Sequence, residues 1–342
     1  MISGECRSFS YILNGSSRQY IAFGSTISED GHKGETYDFC ISNPPFGTPW
    51  KEDLKKWGLA DSEKKKISDP RFKFVYDDNP DFNVIPGIGD PQMLFLANNV
   101  SRMKHSTKLG TRIVEVHNGS SLFTGDAGGG ESNLRRFIIE NDMLEAIIAM
   151  PEKDFYNTGI GTYIWIVTNR KEARRKGKVQ LIDATAIKTP LRKNLGEKNC
   201  ETNDDDRKKI LDLLMAFEEN EYSKIFPNEE FGYWEVELFK PAKDESGNVI
   251  KDKKGKAKMA KVKGEVEQIP FTYPGGIEAF HKNEVLPYEP EEVFGEPTIG
   301  YELSFTKYFY KPVQLRSIAE ITADIRDIEK STEGLLNEIL ER

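Results

Sequence analysis

Asn43-Pro44-Pro45-Phe46 is the stretch whose residue types point most directly to chemistry. The exocyclic amine of a nucleobase is a poor nucleophile, because its lone pair is delocalised into the ring. A site that accepts hydrogen bonds from that amine makes the nitrogen more tetrahedral and aims it at a methyl donor. The Asn43 side-chain oxygen can accept one such bond. The Pro44 carbonyl can accept another, and the rigid Pro-Pro pair fixes its direction. Phe46 offers a face on which a base turned out of a duplex can stack. The competing reading is an ordinary turn, since Asn-Pro and Pro-Pro are common loop chemistry.

The elements around the tetrapeptide favour the chemical reading. Tyr37 to Ser42 is a short apolar run ending at the Pro-Pro turn, which predicts a buried strand. Ligands of open α/β sheets bind at the carboxyl ends of strands. Residues 48–90 are mixed in character and predict a long loop with one helix near 51–57. The apolar spacing from Asp90 to Met103 predicts a helix with one buried face. A strand is expected from Arg112 to His117, then a flexible loop over Gly125–Gly130. A helix over Asn133–Glu140 follows, with Ser132 as its N-cap.

Further strands are expected at Leu144–Met150, Thr162–Thr168 and Val179–Asp183, making an α/β sheet with crossovers to about residue 190. Beyond that, residues 204–226 read as one amphipathic helix. Residues 240–268 read as an exposed lysine-rich hairpin or loop, either simply solvated or a phosphate-contacting arm. Ile318, Ile321, Ile325, Ile328, Thr332, Leu335 and Ile339 follow a heptad seam. That terminal helix either packs on its own domain or pairs with another subunit.

Composition narrows the function classes. With 342 residues, 37% hydrophobic and 30% charged, the chain can bury a core. Its formal net charge of -8 is the opposite of what a lone DNA-gripping protein shows, so a partner is implied. Cys6, Cys40 and Cys200 form neither a disulfide framework nor a zinc pattern. No signal peptide and no membrane span is read, which makes a cytoplasmic protein the expectation. The Gly125–Gly130 loop lacks the Gly-Lys-Ser/Thr of a nucleotide-triphosphate site. His117 reads as structural rather than catalytic, Arg135 and Arg136 as surface groups with phosphate contact as the weaker alternative, and Asp90 and Gln92 as helix-start residues.

Several ordered blocks together carry a resemblance. Asp38-Phe-Cys-Ile-Ser-Asn-Pro-Pro-Phe-Gly47, His117-Asn-Gly-Ser-Ser-Leu-Phe123, Asn133-Leu-Arg-Arg136, Leu144 to Pro151, Phe155 to Ile160 and Tyr163 to Val167 resemble the modification subunit of type I restriction-modification systems. The similarity covers about residues 22–190 and continues weakly through Gly300-Tyr301-Glu302 and Phe309-Tyr310. The resemblance implies a partial Rossmann-like S-adenosylmethionine-dependent methyltransferase sheet with a helical C-terminal extension. It implies methyl transfer from S-adenosylmethionine to the N6 amine of adenine in DNA, with Asn43, Pro44, Pro45 and Phe46 as catalytic residues. It also implies assembly with a sequence-specificity subunit and a restriction nuclease subunit. The family places Asp90 and Gln92 near the mouth of the site.

The pattern fails in one respect. The family normally carries a glycine-containing strand-to-helix turn well before the tetrapeptide, to cradle the methionine end of the cofactor. Here Gly4, Gly15 and Gly24 are isolated. Phe23-Gly24-Ser25-Thr26-Ile27 resembles the segment bordering the cofactor's adenine, which makes Ser25 the cofactor-binding candidate, although an acidic or amide side chain is usual there. The front half of the sheet is therefore expected to be missing. A sheet so truncated exposes an apolar edge, and either a longer chain, a homodimer or another polypeptide covers it.

The expected organisation is a partial catalytic domain at 1–190, a family-specific extension with the lysine-rich loop at 191–300, and a subunit-contacting helix at 301–342. Two alternatives stand beside adenine methylation. One is a truncated, non-catalytic interaction module. The other is methylation of protein glutamine or ribosomal RNA, against which Phe46 argues, since Tyr is usual at that position in those enzymes.

Overall fold

The computed structural model describes residues 22–340, apart from 46, 77, 80–81, 156–158, 245, 252–253 and 311–316, and leaves the side chains of 329, 331 and 333–340 undescribed. By internal contacts the chain forms two units, residues 1–305 and 306–342.

The first unit is built on a six-stranded sheet. β1 (Phe39–Ser42) is followed by the short helix α1 (Lys51–Lys56) and then by α2 (Gln92–Ser101), which leads into β2 (Arg112–Asn118). β1 and β2 are parallel, with Ser42 opposite Glu115, so α2 is the crossover that a parallel pair requires. A single turn, α3 (Ser120–Phe123), and α4 (Gly130–Glu140) then precede β3 (Leu144–Ala149), β4 (Thr162–Thr168) and β5 (Lys178–Asp183). The strand order is β1-β2-β4-β3-β5, closed at the far side by β8 (Ser223–Pro227). β4 runs antiparallel to both β2 and β3, while β3 and β5 are parallel. β3 is buried along its whole length, as expected of a strand covered on both faces.

Between β5 and β8 lie the hairpin β6 (Thr189–Leu195) and β7 (Lys198–Glu201) and the helix α5 (Asp204–Ala216). Asn203 and Asp206 form a capping box at the start of α5. The single amphipathic helix expected over 204–226 is shorter than its sequence pattern. It stops at Phe217, which sits in the left-handed region at φ 52°, and residues 223–227 turn back to pair with β5. Ile210 of α5 packs on Ile148, Ile166 and Ile182 on one face of the sheet. α2 packs on the other face, and α4 lies beside it.

Of the loop expected over Gly125–Gly130, residues 125–129 are non-helical and Gly130 opens α4, whose N-cap is Gly129 and not Ser132. A side chain at Gly130 would meet the Ile85 carbonyl oxygen at 1.9 Å. Glycine is there for close backbone approach. The Ser132 hydroxyl is buried and accepts the Tyr301 N–H at 2.9 Å.

A second sheet centres on β9 (Gly232–Pro241), flanked by β10 (Met259–Pro270). After α6 (Gly276–Phe280), β11 (Val293–Phe294) and β12 (Thr298–Tyr301) also pair with β9. The lysine-rich segment is the outer part of the β9–β10 hairpin. Part of its charge is neutralised locally, with Lys261 on Glu237 and Lys243 on Glu291. α7 (Phe305–Phe309) straddles the division between the units, and the second unit contains α8 (Ile318–Leu340). Ile318, Ile321, Ile325 and Ile328 of α8 are exposed; the side chains of Leu335 and Ile339 lie outside the described residues. Among the described residues no helix is long and apolar enough to cross a membrane.

Candidate active site

Parallel pairing of β1 and β2 brings their carboxyl ends together, and Asn43-Pro44-Pro45 leaves β1 at that end. Asn43 is exposed, Pro44 buried and Pro45 half-buried. Pro44 therefore seats the turn, while the Asn43 amide faces outward with no hydrogen bond among the described residues. Phe46, the expected stacking ring, lies outside the described residues, as do Tyr156, Asn157 and Thr158.

The chain beyond the tetrapeptide is pinned back beside it. The buried Trp50 donates its backbone N–H to the Ile88 carbonyl at 3.1 Å and its indole N–H to the Gly87 carbonyl at 2.9 Å. This returns Asp90 to the same end of the sheet. Asp90, Gln92, Asn118 and Ser120 interlock there. Gln92 donates to Asp90, to Asn118 and to Ser120, each at 2.8 Å, and accepts the Asn118 N–H at 3.0 Å. Asp90 also accepts the Gln92 N–H at 3.1 Å, so it serves the helix start as well as the polar rim.

A second polar group lies beneath the turn. Ser42, the residue before Asn43, donates to Glu115 at 2.7 Å. Asn99 of α2 donates to the same carboxylate oxygen at 2.6 Å and to the Ser42 hydroxyl at 3.0 Å. The other oxygen of Glu115 faces His117 Nε2 at 2.8 Å. Glu115 and His117 are both fully buried. Sequence reasoning missed Glu115 and Asn99 and read His117 alone. The signal was present, since period-two alternation puts Ile113, Glu115 and His117 on one face. Cys40, beside this group, has its thiol pushed up to about 12, by burial first and then by the Glu115 charge.

Other candidates fall elsewhere. Ser25 is half-buried and donates to Asp53 at 2.6 Å, and Ser28 donates to the same carboxylate. Arg135 is not a surface group. It is fully buried and donates to the carbonyls of Tyr301, Ser121 and Thr124 at 2.6, 3.0 and 2.9 Å. Its burial pulls the guanidinium down to about 10. Arg136 pairs with Glu140 at 3.1 Å. No cluster of three or more His, Cys, Asp or Glu side chains stands ready for a metal among the described residues.

The other flank of β1 is bare of such groups among the described residues. β1 is the edge of the sheet among the described residues, and no glycine turn opening a helix flanks it there. Phe39 and Ile41 on that edge are 70% and 75% exposed. The described residues thus gather polar side chains at the carboxyl end of β1 and carry no glycine turn on its unpaired side.

The N-6 DNA Methylase family profile matches residues 8–238 of this chain. The chain belongs to the N-6 DNA methylase family. Among its relatives are the MjaIX methylase subunit of a type I restriction enzyme from Methanocaldococcus jannaschii, 27% identical over 201 residues, and the HindI methylase subunit from Haemophilus influenzae, 27% identical over 195 residues. These alignments cover 59% and 56% of this chain but 32% and 37% of the relatives. The chain thus spans about a third of the length of these two methylase subunits. A solved methyltransferase subunit of a type I restriction-modification system from Streptococcus thermophilus is similar over 60% of this chain and 38% of its own, at 21% identity and a TM-score of 0.47.

Proposed function

We propose that this chain carries the target-base side of an adenine N6 DNA methyltransferase, the modification subunit of a type I restriction-modification system. In this reading S-adenosylmethionine donates the methyl group, and DNA, a sequence-specificity subunit and a nuclease subunit are the partners. The observation that carries it is the exposed Asn43 amide, free of hydrogen bonds among the described residues and set on a buried proline at the common carboxyl end of two parallel strands. An amide so placed accepts one hydrogen of a flipped adenine's amine, and the Pro44 carbonyl accepts the other. The family membership and the methylase-subunit relatives support the same chemistry.

The amine grows acidic as it is methylated, so its proton leaves to solvent without a dedicated base. When bound, the donor would supply an electrophilic methyl group. Phe46 stands as the stacking face, and Ser25 as the candidate toward the cofactor.

The test is transfer of a tritiated methyl group from S-adenosylmethionine to unmethylated chromosomal DNA, with RNA and protein as parallel acceptors. DNA labelling that falls at least about 100-fold in Asn43→Ala is expected, the loss of one or two charge-developing contacts at about 1.4 kcal/mol per tenfold. The thermal midpoint should stay put, because Asn43 is exposed. Undiminished DNA labelling by Asn43→Ala, or labelling of RNA or protein instead, would overturn the assignment.

A further inference from the structure

We propose that Glu115 is a positioning residue for Asn43, acting through Ser42; the inference rests on the reading of Asn43 just given. β1 is held by a ladder on one side only, among the described residues. The turn that follows it contains two prolines, which donate no backbone hydrogen bonds. Something other than the sheet must fix where Asn43 starts. The structure assigns that task to the Glu115 carboxylate, whose one oxygen gathers Ser42 from β1 and Asn99 from α2 within a triangle of 2.6, 2.7 and 3.0 Å.

The surroundings argue that this carboxylate is not kept for stability. On the same sheet face its neighbours are Ile113 and, directly opposite, Trp165. A buried carboxylate costs several kcal/mol to desolvate, and an apolar residue of similar volume is usually neutral or better. Its ion-pair partner among the described residues is His117, placed to keep the second oxygen occupied. The carboxylate can only accept, so His117 Nε2 carries the proton. His117 Nδ1, buried without a hydrogen-bond partner, is then the lone-pair nitrogen. The result is a rigid post with one oxygen for the imidazole and one for the residue preceding Asn43.

The full chain with Glu115→Val, Glu115→Gln and Ser42→Ala separates positioning from mere packing. Hydrogen–deuterium exchange is read on a peptide covering residues 38–50 and on peptides covering β3 and β5. Glu115→Val should raise exchange of the first at least about tenfold and leave the others protected. Glu115→Gln should restore protection. Its amide oxygen replaces the acceptor for Ser42 and Asn99, and its N–H reaches His117 once that ring moves its proton to the unpartnered Nδ1. Ser42→Ala, which leaves no buried charge unpaired, should loosen the same peptide about threefold and serves if Glu115→Val does not fold.

In the methyl-transfer assay Glu115→Val should lower kcat at least about tenfold with KM for DNA within about twofold. Unchanged exchange at residues 38–50 in Glu115→Val or Ser42→Ala, or equal loosening of β3 and β5, overturns the inference. Exchange needs no turnover. A chain that labels no DNA therefore counts against the proposed activity alone, and the exchange result still decides the role of Glu115.

Discussion

At the scale of single residues, the chain divides its polar groups into those left open and those spent on holding structure. Asn43 is open; Arg135 is spent. Its guanidinium holds the last carbonyls around α3 and the end of β12. Lysine cannot imitate three bonds from one planar fork. Arg135→Lys should therefore lose about 2 kcal/mol and Arg135→Met about 3 kcal/mol or more, since three carbonyls are left without a donor in a dry site. Urea unfolding at unchanged slope is the measurement, and a loss under about 1 kcal/mol for the methionine variant would show that water reaches those carbonyls. The sequence placed Arg135 next to Arg136, which is only half-buried and pairs with Glu140. Nothing local distinguishes the two, because their difference lies in contacts with Tyr301, far away along the chain.

At the scale of elements, the segment ahead of β1 is tied to α2 by charge. Asp30 meets Arg102, the residue closing α2, at 2.6 Å and Arg71 at 3.6 Å. Burial raises its carboxyl, but the His32 N–H and the Arg102 pair outweigh this and hold it below the usual carboxylate range. A depressed folded value means the pair contributes fully above the ordinary aspartate value of about 4 and loses its contribution as pH falls through the lower folded one. Asp30→Asn should cost about 3 kcal/mol at pH 7, because it leaves two buried guanidinium groups short of a partner. The gap from the parent should shrink below about pH 4. A gap that stays constant from pH 7 to pH 3 would exclude an ionic origin.

This network was not legible in sequence, since Asp30, Arg71 and Arg102 are scattered over more than seventy residues. The strands were legible where apolar side chains ran on unbroken, as in Ala146–Ala149 and Tyr163–Val167. α5 was overread because Leu213, Leu214 and Phe217 continue a helical spacing that the left-handed Phe217 ends. The β9–β10 sheet was hidden by its lysines, although Val236 and Leu238 alternate with Glu235 and Glu237 as a half-buried strand should.

At the scale of the molecule, the proposed acceptor side is well formed among the described residues, and a cradle for the proposed donor is not found among them. Titration of the chain with S-adenosylmethionine in a calorimeter should give affinity no better than about 100 μM, a binding free energy near -5.5 kcal/mol. Sub-micromolar affinity would mean that the described residues and those around them hold the cofactor after all. That the candidate tetrapeptide follows a strand was readable from the apolar run ending at the Pro-Pro turn. The missing glycine turn led the sequence to an unpaired edge, and among the described residues β1 is an edge strand with Phe39 and Ile41 exposed.

An edge left unpaired, as β1 is among the described residues, also sets a reaction order. Two copies pairing β1 to β1 consume chain at a rate that grows with the square of its concentration, and bare strand edges are competent for such pairing. Capture by a different polypeptide in excess is first order in this chain. Dilution therefore favours correct partnering over self-association, and rapid accumulation favours the reverse. Light scattering from a doubled concentration should rise about fourfold faster at early times, and linear growth would indicate that the edge is already covered.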